Sequence, residues 1–283
     1  MRRIFFLLGA LFALLGVSQL MACTATPPPA NTASPAPGST ATPPPSGDET
    51  EMGNETFQKL KAQGEIVSSS PLYGTLKPIA SAITRVVQPQ YQYPIHFYIV
   101  HDAQPNAFAA PGGNIYVVDS LFYFVHNREE LAGTLCHESS HLLHHDSLKE
   151  MQHNRAIYKR EVATTILLGP TWRTALAASA IGALDALHYS RAQEESADLT
   201  GSDTCAAAGV DPWGLVWLFQ DFQNAHFQSP PEVLSDHPDN SDRIQALENH
   251  FSQNPATFSR FNANPQSATK LILPKNKQEQ FLR

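Results

Sequence analysis

His137-Glu138-Ser139-Ser140-His141 constrains this chain more than any other stretch. Its pattern is H-E-x-x-H, and the surrounding residues read as a helix. Two histidines four apart on a helix share one face, because 3.6 residues complete a turn. Both imidazoles can then reach one metal ion, with Glu138 beside it as a base. Asn127 is a candidate N-cap, and Glu130 stands three residues on, where it can reach back to the cap. Leu131, Leu135, Leu142 and Leu143 form an apolar stripe at helical spacing. The alternative is an amphipathic helix whose histidines only make hydrogen bonds.

Two histidines need a third protein ligand. The segment from Ser190 to Asp198 also reads as helical, and in it Glu194 and Asp198 lie four apart on one face. Glu194 is the candidate third ligand, and Asp198 the candidate carboxylate that orients a histidine ligand. Glu195 points about 100° away from Glu194 and is the weaker choice. The alternative here is a solvated acidic face. Glu161 would serve a different H-E-x-x-H group, but it lacks the neighbours that group requires. His144, His145 and His153 read as exposed helix residues.

The N-terminal residues set the compartment. Arg2 and Arg3 precede a nearly unbroken apolar run from Ile4 to Val17, so residues 1–22 read as an export signal. Leu20-Met21-Ala22-Cys23 resembles a lipobox, which makes Cys23 the candidate lipidation site; an ordinary signal peptide cut near Ala22 is the alternative. Acyl chains would tether the chain to a membrane rather than let it span one. Thr24 follows the cysteine, and the sorting rule implied by that resemblance directs such a protein to the outer membrane. Residues 23–47, with eight prolines and no aromatic residue, read as an extended linker. Residues 48–283 then form one domain. A net charge of −7 gives no cationic footprint for nucleic acid or an anionic membrane surface. Cys136 and Cys205 are expected as two buried thiols. If Glu194 meets the metal beside His137, Cys205 lies eleven residues further along its helix, about 16 Å away.

The motifs together resemble the HtpX and CaaX-prenyl-protease type of zinc metallopeptidases, and within it the soluble periplasmic lipoprotein branch. H-E-x-x-H is followed by Arg191-x-x-Glu194-x-x-Ala197-Asp198. Asn106-Ala107-Phe108-Ala109-Ala110-Pro111-Gly112-Gly113-Asn114-Ile115-Tyr116-Val117 matches the family's N-A-F-x-x-P-G-G-x-I/V-Y-V segment. Asp236-His237-Pro238 with Arg243-Ile244 matches its late motif. The resemblance covers roughly residues 50–250. It implies a mostly helical α+β zincin-type domain with a small sheet at the cleft. It implies one Zn²⁺ held by His137, His141 and Glu194, with Glu138 as general base and Asp198 bonded to a ligand imidazole, that of His137. Asn106, Ala107, Phe108, Gly112 and Gly113 would belong to a strand and turn at the cleft rim, whose edge could take an extended peptide. His237 would lie near the zinc and either stabilise the oxyanion or latch the metal. Arg243 would position that loop or pair with Asp198 or Glu248. Unfolded or misassembled envelope proteins would be the substrates; a latched or proteolytically silent zinc-containing assembly factor is the alternative function.

Helices are expected near 50–63 and 71–86, a strand near 95–101, a strand and turn over 106–118, and helices from there to about 250. The broken apolar runs within 162–187 suggest packed helices or a lid rather than a bilayer crossing.

Overall fold

Asn127 caps the helix that carries the H-E-x-x-H pattern, and the rest of the fold is packed around that helix. The structure is a computed structural model, and it describes residues 46–153, 184, 187, 189–224 and 240–274. In chain order the named helices are α1 (Ser46–Ala62), α2 (Tyr73–Val87), α3 (Leu121–Phe124), α4 (Arg128–Leu143), α5 (Arg191–Ala207), α6 (Trp213–Asn224), α7 (Asn240–Gln253) and α8 (Pro255–Phe258). The strands are β1 (His96–Val100), β2 (Ala107–Ala110) and β3 (Asn114–Val118). The fold is α+β, mostly helical with one small sheet, as the sequence implies. Expectations for the export signal, Cys23 and the linker up to residue 45, for residues 162–187 and for His237 lie outside the described residues, except that Leu184 and Leu187 are buried. No helix among the described residues is long and apolar enough to cross a membrane.

The Asn127 side chain accepts from the Glu130 amide, and Glu130 accepts the His126 amide at 2.6 Å. The reciprocal contact thus falls one residue before the cap. The sequence suggests one buried stripe on α4; instead nearly every side of the helix is buried, including Glu129, Glu130, His137, Glu138 and His141. Its hydroxyls tolerate this because they bond back into the helix. Thr134 donates to the Glu130 carbonyl, Ser139 to Leu135 and Ser140 to Cys136. Leu131, Leu135 and Leu142 pack in one core with Ile79 and Ile83 of α2, Ile115 and Val117 of β3, and Val216 of α6.

The sheet has the order β1-β3-β2, with β1 parallel and β2 antiparallel to β3. The outer side of β1 is occupied by residues 65–67, since Val67 donates to the Ile99 carbonyl and His101 to that of Glu65. That leaves β2 as the edge strand, lying against α4.

Helix α5 begins in a reciprocal box between Ser190 and Gln193 and continues through Gly201 to Ala207. At Gly201 α5 packs directly on α4: a Cβ there would sit 3.0 Å from the His137 nitrogen. This crossing corrects the expectation of two thiols. Cys136 and Cys205 form a disulfide, with their Cα atoms 5.9 Å apart. The helix backbones approach at Gly201, one turn from Cys205, whereas Glu194 reaches the histidines with its side chain from further back. The bridge closes a sequence separation of 69 residues. Its entropic effect on the unfolded chain is about 4 kcal/mol. Replacing both cysteines by Ala should therefore lower the unfolding free energy by up to that amount, read from urea unfolding with the slope fitted for each chain, since the unfolded state expands when the bridge is lost.

Candidate metal centre

Helical spacing on α4 puts His137 and His141 side by side, and α5 brings in Glu194. His137 Nε2 lies 3.1 Å from His141 Nε2 and 3.6 Å from a Glu194 oxygen; the other Glu194 oxygen is 3.5 Å from His141 Nε2. A tetrahedral site with bonds of 2.0–2.1 Å separates its ligand atoms by about 3.3 Å, so these three fit around one ion. The group is buried, with His137 at 4%, His141 at 0% and Glu194 at 1% exposure.

The far side of each imidazole faces a carboxylate. Asp198 Oδ1 lies 2.9 Å from His137 Nδ1, and Asp146 Oδ2 lies 3.1 Å from His141 Nδ1. Such carboxylates keep the ring proton on Nδ1 and leave Nε2 with its lone pair. Here both lone pairs converge on one point, an arrangement that calls for a cation. Burial lowers the pKa of His137, against the pull of Asp198. Burial also opposes charge on His141, yet Asp146 and Glu194 outweigh it and raise its pKa to about 9. The pocket thus draws in a positive charge. Among the described residues, four carboxyl groups, Glu138, Asp146, Glu194 and Asp198, face two side chains of fixed positive charge and the proton that His141 takes up in place of a metal. Arg243 grips Asp198 through two contacts of 2.6 Å and reaches Glu194 at 3.1 Å, and Lys149 donates to Asp146 from the rim. Burial notwithstanding, Arg243 keeps the Asp198 pKa below the usual range. A divalent ion would supply the missing positive charge.

Glu138 is 1% exposed, and its Oε2 accepts the Ala109 amide of β2 at 2.9 Å. Asn106 accepts the Ala107 amide through its own side chain and the Val118 amide through its carbonyl. Phe108 is buried with Tyr116 in a second apolar cluster, and Gly112 and Gly113 lie in the turn that joins β2 to β3. The structure therefore brings together His137, Glu138, His141, Glu194 and Asp198, with β2 alongside. Of the partners suggested for Arg243, it is Asp198 that the guanidinium holds.

Two neighbours of His141 escape the sequence reading. Asp146 follows His145, whose φ of +54° breaks the helical register, so no helical spacing points to it. Tyr189 stacks on the His141 ring with centroids 4.0 Å apart, its hydroxyl 3.0 Å from that of Ser147. The signal for Tyr189 is slight: an aromatic residue just before a capping serine. Asp146→Asn and Asp198→Asn should each weaken divalent-metal binding about 10–100-fold, measured by chelator competition.

Known proteins match much of this sequence. The family model described as Peptidase family M48 matches residues 75–250. The beta-barrel assembly-enhancing protease of Yersinia pestis is 27% identical over 215 residues, covering 72% of this chain and 44% of that protein. Metalloprotease YcaL of Escherichia coli is 26% identical over 209 residues, covering 72% of this chain and 80% of YcaL. The mitochondrial metalloendopeptidase OMA1 of Schizosaccharomyces pombe is 26% identical over 153 residues, covering 53% of this chain and 45% of that protein. The chain thus spans less than half the length of the assembly-enhancing protease it matches. The family match runs from α2 into α7 and takes in both helices that supply the His-His-Glu group, so the chain belongs to peptidase family M48.

Proposed function

We propose that this chain is a zinc-dependent endopeptidase of the bacterial cell envelope that hydrolyses peptide bonds in unfolded or misassembled envelope proteins. The observation that carries the reading is the convergence of His137, His141 and Glu194 within bonding distance of one point, with Glu138 beside them and tied to an edge strand. His137, His141 and Glu194 would hold the zinc. When bound, the ion polarises a carbonyl and acidifies a water molecule. Asp146 and Asp198 hold the two imidazoles in the tautomer a ligand needs. Glu138 takes a proton from the attacking water and returns it to the leaving amine. Its contact with Ala109 fixes the base at the outer edge of β2, along which an extended chain can lie by backbone pairing. Backbone recognition suits a broad range of unfolded sequences. The name of one relative, a beta-barrel assembly-enhancing protease, supports envelope substrates, and that of another, a metalloprotease, supports the activity.

The domain over residues 48–283 would be tethered through a lipid on Cys23 and spaced from the membrane by residues 23–47. Labelling with a fatty-acid analogue, lost in Cys23→Ala, tests the tether. The function itself is tested by metal analysis of the purified chain together with peptide mapping of an unfolded casein digest. Stoichiometric zinc with cleavage within the casein chain is expected, and a metal-free chain or an undigested substrate sinks the reading.

The burial of His137, Glu138, His141 and Glu194 favours a second reading of the resting state, in which access is latched. His237, which could instead stabilise the oxyanion, is the candidate latch. His237→Ala then raises turnover; a loss of turnover assigns His237 to the oxyanion instead.

A further inference from the structure

Helix α1 lies outside the segment matched by the family model, which begins at residue 75, yet α1 reaches both walls of the centre. Its Gly53 packs directly against the β2–β3 turn: a Cβ there would fall 2.2 Å from the Pro111 carbonyl oxygen. One turn earlier, Glu49 is 1% exposed. The Glu49 carboxylate accepts from the Tyr91 hydroxyl through one oxygen, and its other oxygen lies 3.0 Å from His145 Nδ1.

His145 is where the chain leaves α4. It is the single non-glycine residue with positive φ among those described, at +54°. That conformation costs a non-glycine residue some free energy, and histidine takes it most readily where a helix ends. The His145 side chain is tied there to Glu49 and packs on the Tyr91 ring, whose centroid is 5.7 Å from the imidazole. The reversal at His145 starts a new helix at Asp146 and sends the Asp146 carboxylate back to His141 Nδ1, 3.1 Å away. The path from α1 to a ligand histidine is thus Glu49, His145, Asp146, His141.

We infer that Glu49 is a positioning residue of the metal centre: its buried carboxylate holds the left-handed turn at His145 and thereby aims Asp146 at His141. This rests on the reading of His137, His141 and Glu194 as metal ligands. A helix that stands directly after the proline-rich segment in sequence would then be part of the metal centre rather than a stalk.

The test measures Zn²⁺ affinity by chelator competition and the visible absorption of the Co²⁺-substituted full chain. Glu49→Ala should weaken Zn²⁺ about tenfold and alter the Co²⁺ bands, while Glu49→Gln, which keeps the side chain's length and hydrogen bonds, restores most of both. His145→Gly provides a second route should Glu49→Ala fail to fold. Glycine can enter the left-handed region but is not held there once the contact with Glu49 is gone, so the turn no longer fixes Asp146 and metal binding should again weaken. Leu60→Ala removes a fully buried side chain of α1 and serves as the control, lowering the melting temperature with the metal properties of the wild type. Wild-type affinity and spectra in both Glu49→Ala and His145→Gly would overturn the inference, as would an equal loss in Leu60→Ala. A wild-type chain that takes up neither ion overturns the metal-centre reading itself, and this inference with it.

Discussion

Glu138→Gln lowers the rate of casein cleavage about 10²–10⁴-fold while the chain keeps its zinc and its fold. Removing a general base costs about 3–5 kcal/mol of transition-state stabilisation at 1.36 kcal/mol per decade. Glutamine suits the test because of what Glu138 touches. Oε2 accepts the Ala109 amide at 2.9 Å, and the amide oxygen of glutamine accepts it equally well. The edge strand therefore stays in register against α4, and the histidines on either side of position 138 keep their carboxylate partners. What is lost is the ability to take up a proton. Alanine would confound the two roles by releasing β2. The measurement is steady-state cleavage with metal content and melting temperature recorded in parallel. Cleavage at the wild-type rate by a zinc-loaded Glu138→Gln chain removes Glu138 from the mechanism.

The sequence shows most of what periodicity can show. His137 and His141 share a face because a helix repeats every 3.6 residues, and Glu194 and Asp198 share one for the same reason. The strand and turn over 106–118 and the helix boundaries near α2 also follow from local chemistry. Features set by how elements cross do not. The disulfide is hidden because the sequence places the crossing of the two helices at Glu194, whose side chain spans the distance; the backbones meet instead at Gly201, where even a Cβ would sit 3.0 Å from the His137 nitrogen. Asp146 was hidden because the positive φ of His145 resets the phase of the chain, and helical spacing carries no information past such a point. His145 reads as an exposed helix residue for the same reason, whereas its side chain is only 19% exposed and it faces Glu49 from 96 residues away. Asp198 reads as the partner of an imidazole and as one of two candidate partners of Arg243; that it receives both arms of the guanidinium is set by how α7 crosses α5.

That guanidinium carries the second large effect. Arg243→Met should lower the stability of the metal-free chain by about 3–5 kcal/mol, because it leaves buried carboxylates without their cation. Arg243 is 6% exposed, donates to both oxygens of Asp198, lies 3.1 Å from Glu194 and stacks 4.3 Å above the Phe219 ring. Methionine keeps much of the stem and its contact with Phe219, so the loss reports on charge more than on packing. Lysine would not replace it, since a single ammonium cannot engage both Asp198 oxygens in parallel. Metal separates the two carboxylates. Glu194 regains a cation when the ion binds, whereas Asp198 keeps only the imidazole of His137. Saturating zinc should therefore recover part of the deficit and not all of it. Urea unfolding of wild type and Arg243→Met, each with chelator and with zinc, gives the four free energies required. A metal-free deficit below about 1 kcal/mol would mean that the buried carboxylates do not depend on Arg243. An equal deficit with and without zinc would mean that Glu194 does not hold the ion, and the assignment of the third ligand would fall with it.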